Sequence, residues 1–378
     1  MNVLVLGAGF GGLELATRLS DALGERVSVT LIDKSDSFVF GYSKLDIMFG
    51  KQQPSTTRLP YSAISKPGVD FRQETIHSID PATKTVITDK GSHAGDILVV
   101  ALGADLDPAA TPGLVDHGHE CYSVDGAEKL GQALPGFTGG NVVVALTTPH
   151  FKCPPAPSEC AMLMHDYLIE RGLRDQSTIT LVSPQPTPLP VSPEVGGSIL
   201  AALQDRDIEF VGNTTISAIE NQGRTIRFAD GGEIEADLIM AIPLHVAPQV
   251  VLDSGLTEKG WIPTGKYTLQ TSFPGVFAFG DVASVGVPRA GVFSEGQARI
   301  VAEQILSQFQ NEQTAAPRYD GAGICYLEFG RGTVGKVDVN FLGGPAPRAT
   351  LEMPTTELRA EKDDFGARRR ARWFGTGN

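Results

Sequence analysis

Apolar residues in this chain fall into short unbroken runs separated by stretches with helical spacing. Residues 3–6, 96–103, 141–146, 178–182 and 236–241 are near-continuous apolar runs, the pattern of strands buried on both faces of a parallel sheet. Between the first runs, Leu15, Leu19 and Leu23 recur four apart. Helical spacing returns over 157–172 and over 293–309, where Ala298, Ala302 and Ile305 share a face. Strand–helix–strand order of this kind predicts an α/β fold with two Rossmann-like units. Residues 38–50 read as a loop and short helix, and 69–71 and 85–88 as strand pieces of a small sheet. Gly231-Gly232 reads as a hairpin turn. A further strand over 271–281 ends in Gly-Asp. After Pro317, strands over 326–329 and 336–341 and an amphipathic helix over 363–374 predict a small, separate α+β unit. The expected boundaries are a first unit over 1–112, interrupted by a second over 113–261 and resumed over 262–317, then the C-terminal unit over 318–378.

The first 34 residues carry the most specific pattern. The run 3–6 opens on Gly7-Ala8-Gly9-Phe10-Gly11-Gly12, a helical segment follows, and a second apolar run ends on Asp33-Lys34. This is a βαβ unit with G-x-G-x-x-G at the strand-to-helix turn. Gly7 allows the tight turn, Gly9 lets a pyrophosphate approach the backbone, and Gly12 lets the helix pack on the strand. Free N–H groups of the helix start point at the phosphates. Asp33 stands 21 residues past Gly12, where a carboxylate can take two ribose hydroxyls. A glycine-rich turn that binds nothing is the alternative; strand, helix, second strand and terminal acid in register argue against it.

Composition narrows the class. The 378 residues are 41% hydrophobic and 20% charged, which is ordinary for a soluble globular chain of two domains. A formal net charge of −13 would repel phosphates, so nucleic acid is not an expected partner. No apolar run is long enough to span a membrane. The N-terminus enters a strand at once, without the pattern of a secretory signal, so a cytoplasmic location is expected. The four cysteines, Cys121, Cys153, Cys160 and Cys325, are too few for a disulfide scaffold; they are inert core residues or redox groups. The seven histidines show no metal-ligand spacing, and no metal is expected.

Gly7–Gly12 together with Gly280-Asp281 resembles the two-dinucleotide-domain flavoproteins, the glutathione-reductase-like enzymes. That resemblance implies bound FAD, with Asp281 on the ribityl chain and a helix beginning near Gly291 pointing its positive end at the isoalloxazine. The alternative for Asp281 is a helix cap. Further cofactor contacts are expected at Phe10, Gly11, Lys34, Ser43, Ile76 and Gly103. Cys153-Pro154-Pro155-Ala156-Pro157-Ser158-Glu159 and Ile324-Cys325-Tyr326 look like the two cysteine signatures of sulfide:quinone oxidoreductases and of the flavocytochrome c sulfide dehydrogenase flavoprotein. Cys121, 32 residues before Cys153, resembles a third cysteine of the quinone-linked branch.

The resemblance implies a redox disulfide or polysulfide bridge between Cys153 and Cys325, a small sulfur substrate, quinone as acceptor and a homo-oligomer. A disulfide can be opened by hydrosulfide through thiol–disulfide exchange. Cys153 precedes a helix start, which is expected to lower its pKa. Glu159 is the candidate proton carrier. Cys160 reads as a core residue, and Cys121 as either core or catalytic.

The turn of the second unit, 147–157, has no glycine and several prolines, which removes donors a pyrophosphate needs. Tight NAD(P)H binding is therefore not expected, and this separates the reading from a type II NADH:quinone oxidoreductase. A flavoprotein subunit that docks a cytochrome is the non-enzyme alternative. Arg368, Arg369, Arg370 and Arg372 beside Phe365, Trp373 and Phe374 suit anionic lipid headgroups at the inner face of the cell membrane; equally, the helix packs Trp373 into the protein. Lys336 is a candidate contact to the flavin or to a quinone oxygen, or else a surface lysine.

Overall fold

The computed structural model describes residues 1–310 and 317–375. Residues 311–316 and 376–378, which the sequence boundaries include in the resumed first unit and the C-terminal unit, lie outside the described residues. The chain enters on β1 (Asn2–Leu6), turns through glycines into α1 (Phe10–Leu23), and returns on β2 (Ser28–Asp33). A loop and short helix α2 (Ser43–Met48) lead to β3 (Val69–Gln73). The strands β4 (Ile76–Asp80), β5 (Thr85–Thr88) and β6 (Gly91–Ala94) precede β7 (Ile97–Val100). The second unit runs through β8 (His119–Glu120), β9 (Gly140–Leu146), α3 (Ala156–Glu170), β10 (Ser177–Val182), α4 (Pro193–Gln204) and β11 (Ile208–Val211). It closes with β12 (Ile216–Glu220), β13 (Thr225–Phe228), β14 (Glu233–Glu235) and β15 (Leu238–Ile242). The chain then returns through β16 (Val276–Ala278) and α5 (Gly291–Gln310). It ends on β17 (Ala322–Gly330), β18 (Thr333–Asn340), β19 (Arg348–Thr355) and α6 (Glu357–Phe374).

Two parallel five-stranded sheets result, as the apolar runs predict. The first has the order β16–β7–β1–β2–β3 and the second β8–β15–β9–β10–β11. Their central strands are buried along their length because helices and loops cover both faces. The stretches between the units, residues 105–107 and 244–246, pair antiparallel, so the two crossings run side by side. Antiparallel trios β4–β5–β6 and β12–β13–β14 are appended to the respective units. Gly231-Gly232 makes the expected turn between β13 and β14. Among the described residues, no helix is long and apolar enough to cross a membrane.

Three sequence expectations need correction. Residues 69–71 belong to the edge strand β3 of the first large sheet, and only 85–88 belong to a small one. The edge position explains the error: Val69 and Phe71 alternate with exposed Asp70 and Arg72, so the run is too short and too polar to identify its sheet. Next, Ala247, Val251 and Leu256, placed by sequence in the second unit, pack in the core of the first.

Finally, the C-terminal stretch forms the expected sheet and helix but does not stand apart from the other two units. Its sheet joins the second core through Leu327, Phe329, Val337 and Val339, while Trp373 and Phe374 enter the first. One buried carboxylate anchors the end of α6. Glu14 on α1 is 1% exposed; it accepts from Trp373 Nε1 at 2.8 Å, Arg372 Nε at 3.0 Å and Arg18 Nε at 2.6 Å. The Trp373 ring meets Phe10 and Phe38 edge-on, at 5.6 and 5.5 Å between centroids, and stacks on Phe40. Arg369 is held by Glu295 at 2.8 Å. The aromatic face of α6 is thus spent on packing and is not available to lipid; Arg368 and Arg370 remain exposed.

Trp373→Ala is expected to cost about 3–5 kcal/mol, since it leaves a cavity and removes a partner of buried Glu14. Urea unfolding checks this as a lower midpoint at unchanged slope. A loss below about 1 kcal/mol would show that the clamp between α6 and α1 carries little of the stability.

Candidate active site

A cavity of about 330 Å³ opens where the two parallel sheets and the C-terminal sheet meet. Its first wall is the glycine turn after β1. Gly7 has φ +99°, and a β-carbon there would stand 2.4 Å from the Ala101 carbonyl oxygen. At Gly12 a β-carbon would stand 1.9 Å from the Gly7 carbonyl oxygen, so α1 packs on β1 only without a side chain. Gly9 has open space where a β-carbon would go, which leaves a berth against the backbone. No side chain caps this helix start, so its N–H groups are free for an anion.

The second wall follows β16. Gly280 and Asp281 line the cavity, and the Gly280 N–H donates to Gln297 at 2.7 Å. Asp281 Oδ1 is buried and without a hydrogen-bond partner. Burial pushes the Asp281 carboxyl up, against the pull of Lys152, Arg289 and Lys44. An orphaned buried acceptor of this kind costs about 1–3 kcal/mol unless a donor reaches it. A ribityl hydroxyl is such a donor. Ala290, Gly291 and Val292 bring the first turn of α5 to the same cavity. These features fit FAD: a berth and free donors for the pyrophosphate, an unpaired acceptor for the ribityl chain, and a helix start for the ring system.

The third wall is sulfur. Cys121, Cys153, Cys160 and Cys325 all line the cavity. Cys153 has φ +57°, a left-handed conformation that a β-carbon makes unfavourable by roughly 1–3 kcal/mol. It is held there from both sides. Its N–H donates to the Arg289 carbonyl at 2.7 Å, and its carbonyl accepts from Ala156 N–H at 3.0 Å. Lys152 and Arg289 form an isolated parallel bridge. The Arg289 guanidinium in turn donates to the Asp281 carbonyl at 2.8 Å and lies 3.7 Å over the Trp261 ring. One arginine therefore ties the cysteine turn to the Gly-Asp turn. Cys325 comes from β17, directly opposite Val337 of β18.

Glu159, on the first turn of α3, is buried, and its Oε1 accepts from Glu328 N–H at 2.8 Å. Burial raises its pKa to about 7, while Lys362 and the Glu328 N–H pull the other way. The Cys325 thiol is pushed up to about 12 by burial and then by Glu159. Cys153 is also pushed well up, by burial first, then by Glu159 and Cys325. This corrects the expectation of a lowered Cys153 thiol. The Ala156 N–H at the start of α3 and the Lys44 ammonium do act downward, but desolvation outweighs them. The surface that Cys153 exposes belongs to the cavity wall.

Of the residues singled out from sequence, Gly9, Phe10, Gly11, Gly103, Gly280, Asp281, Gly291, Cys121, Cys153, Glu159 and Cys325 line the cavity. Gly7 and Gly12 do not line it; they let the turn and α1 close against Ala101 and Gly7. Asp33, Lys34, Ser43 and Ile76 do not line it. The Asp33 carboxylate accepts from Ala8 N–H and Ser35 N–H, both at 2.8 Å, and so braces the glycine turn. Ser43 is buried in the first turn of α2, and Ile76 packs on the first core. Lys336 stands outside the cavity, 2.7 Å from Glu361, because its strand presents it to α6. Cys160 is buried as expected, yet it lies on the cavity wall.

Sequence missed three lysines that line the cavity, Lys44, Lys152 and Lys362. Lys44 donates to the Tyr122 carbonyl at 2.5 Å, and burial, then Lys152, lowers its pKa to about 8. Lys362 is paired with buried Glu328 and lies 5.0 Å over the Tyr42 ring. No motif marks any of them; only the helical period of 357–374 hints that Lys362 shares a face with Phe365.

The pyridine nucleotide-disulphide oxidoreductase family model matches residues 1–305. The mitochondrial sulfide:quinone oxidoreductase of Mus musculus is 25% identical over 359 residues, covering 91% of this chain and 79% of that one. The type II NADH:quinone oxidoreductase of Staphylococcus aureus is also 25% identical, over 364 residues, covering 86% and 87%. Among solved structures, the sulfide:quinone oxidoreductase of Aquifex aeolicus superposes with a TM-score of 0.87 at 22% identity, covering 98% of this chain and 92% of that one.

Glu159 makes a pH prediction. Its folded pKa near 7 lies above the ordinary 4.5, so the folded chain holds this proton more tightly than the unfolded chain. Its contribution is fully present below about pH 4.5 and is lost as pH rises through 7. Relative to Glu159→Gln, the parent is expected to lose roughly 3 kcal/mol of stability between those limits. Urea unfolding of both proteins from pH 4.5 to 8 measures the difference; parallel curves would contradict a carboxyl titrating near 7.

Proposed function

The chain belongs to the pyridine nucleotide-disulphide oxidoreductase family, an FAD-binding enzyme family, and on that premise we propose that it oxidises sulfide, or another small sulfur nucleophile, at Cys153 and Cys325 and passes the electrons to a quinone. One observation carries this reading. Two cysteines 172 residues apart and a carboxyl poised near neutral pH line the same cavity as Asp281 and the start of α5.

The chemistry divides among the chain's own residues. In the oxidised state Cys153 and Cys325 share a disulfide. Hydrosulfide attacks one sulfur; that S–S bond breaks, a persulfide forms on one cysteine, and the other leaves as a thiolate. A second sulfur nucleophile takes the outer sulfur and frees the second thiolate. Re-forming the Cys153–Cys325 bond releases two electrons. FAD bound in the cavity supplies a two-electron acceptor that can hand the pair to quinone. Glu159 takes the proton that the incoming sulfide releases, because its pKa near 7 lets it exchange protons at working pH. Lys44 and Lys362 favour thiolate and carboxylate in a cavity that otherwise penalises both. The left-handed turn at Cys153 fixes where its sulfur stands.

The turn 147–157 argues against NADH as donor. α3 opens on Pro155 and Pro157, so its first turn offers fewer N–H groups to a pyrophosphate than α1 does. Quinone access is served by Ile324, 38% exposed at the cavity wall and the large apolar side chain closest in sequence to Cys325.

Anaerobic stopped-flow tests the reading. Sulfide is expected to bleach the flavin of the parent, NADH to leave it oxidised, and Cys153→Ser to slow bleaching by sulfide roughly a thousandfold. Reduction of Cys153→Ser as fast as the parent would refute the cysteine mechanism. Faster bleaching by NADH than by sulfide would assign the enzyme to nicotinamide oxidation.

A further inference from the structure

Cys325 is carried by an edge strand. Its sheet has the order β17–β18–β19, so among the described residues no strand pairs with the outer edge of β17. Side chains of the second unit take that place. Glu159 Oε1 accepts from the Glu328 N–H at 2.8 Å, and two turns further along α3 Asp166 Oδ2 accepts from the Arg331 N–H. Between them Arg206, just past α4, donates from Nη2 to the Phe329 carbonyl at 2.6 Å. Arg206 is 7% exposed, and its Nη1 donates to the Ala202 carbonyl at 2.7 Å. The approach at the far end is close: a β-carbon on Gly330 would stand 2.9 Å from Asp166 Oδ2. Asp166 and Arg206 do not line the cavity, and the proposed reaction gives them no part.

The spacing of these ties is the telling part, because helix and strand advance at different rates. Seven residues of helix, Glu159 to Asp166, rise roughly 10 Å. Three residues of extended chain, Glu328 to Arg331, also cover roughly 10 Å. The two carboxylates therefore fit both elements at once, with α3 and β17 running in the same direction. Counted backwards on the same scale, Cys325 stands three residues before Glu328, and Cys153 six residues before Glu159 through the turn that leads into α3. Those steps are roughly 10 and 9 Å, so the two cysteines fall at one level.

We propose that Asp166 and Arg206 are positioning residues: they hold the edge strand β17 in register on α3 and so set Cys325 against Cys153. The proposal rests on the reading of Cys153 and Cys325 as a redox pair. Glu159 is the inner anchor and also faces the cavity; Asp166 and Arg206 are outer anchors that act on sulfur only through the strand. A slip of one residue would carry Cys325 about 3.3 Å along and turn its side chain to the other face of the sheet. A register fixed in advance raises the effective concentration of one thiol at the other, since less freedom is lost when the S–S bond closes.

Anaerobic glutathione titration of the FAD-loaded protein tests this. In the reaction read, the two protein thiols and one glutathione disulfide give the Cys153–Cys325 disulfide and two glutathione thiols. Mass spectrometry of alkylated, digested samples gives the fraction linked at each ratio of oxidised to reduced glutathione, and urea unfolding is measured alongside. Asp166→Ala, which removes an outer anchor, is expected to lower the equilibrium constant for closure about tenfold. Asp166→Asn keeps an acceptor for the Arg331 N–H and is expected to close within about twofold of the parent. A lower urea midpoint in Asp166→Ala with closure unchanged would show a merely structural tie; it would overturn the positioning role and leave the redox pair standing. An equal loss of closure in Asp166→Asn would overturn the hydrogen-bonded anchor. Absence of any Cys153–Cys325 link in the parent, at every glutathione ratio, would overturn the pair and the positioning role together.

Discussion

The site depends on one non-local strand pairing. Val276–Ala278 adds in parallel to Ile97–Val100, which itself lies beside the N-terminal strand. Nothing closer in sequence could bring Asp281 and the first turn of Gly291–Gln310 next to the glycine turn at residues 7–12. The pairing also explains why the intervening second unit must begin and end at neighbouring points: residues 105–107 and 244–246 run out and back as an antiparallel pair. Once both crossings are fixed, the turn after Gly140–Leu146 faces the same opening, and Cys153 with it. The C-terminal sheet then closes the cavity from the remaining side and delivers Cys325.

The cavity built this way is hard on charge, and its residues are arranged to meet that constraint. Buried Glu328 is paired with Lys362 and Arg359, and its backbone N–H supports Glu159. Burial still dominates at the Cys153 and Cys325 thiols and at Glu159, so protons there are held more tightly than in water. Sulfur chemistry at neutral pH is then controlled by where a proton can go, and Glu159 is the group placed to receive it. Arg289 links this electrostatic side to the geometric one, since it fastens the strained Cys153 backbone while donating to the Asp281 turn.

Much of this was legible in the sequence. The continuous apolar runs located both parallel sheets, and Gly7, Gly9 and Gly12 named the cradle because those positions tolerate no β-carbon or need the room one would occupy. Cys153 among its prolines, Cys325 and Asp281 were visible as residue types in diagnostic settings. What could not be read was set by burial and by distant partners. A helix start suggested an acidic Cys153 thiol, but desolvation reverses the sign. Lys336 read as a flavin or quinone contact or a surface lysine, yet Glu361 from the last helix holds it outside the cavity. Trp373 beside arginines suited lipid contact and packing into the protein equally, and only buried Glu14, 359 residues away, decides for packing. Lys44, Lys152 and Lys362 carry no local signature, since only the assembled cavity gives them a shared surface.

The central claim is that Cys153 and Cys325 act as one sulfur centre beside bound FAD. A crystal structure of the FAD-loaded protein after anaerobic exposure to sulfide tests it most directly. Continuous sulfur density linking the two Sγ atoms, within the cavity bounded by Asp281 and Gly291, is the predicted result. Two unmodified thiols with no added sulfur, or sulfur bound elsewhere on the chain, would contradict it.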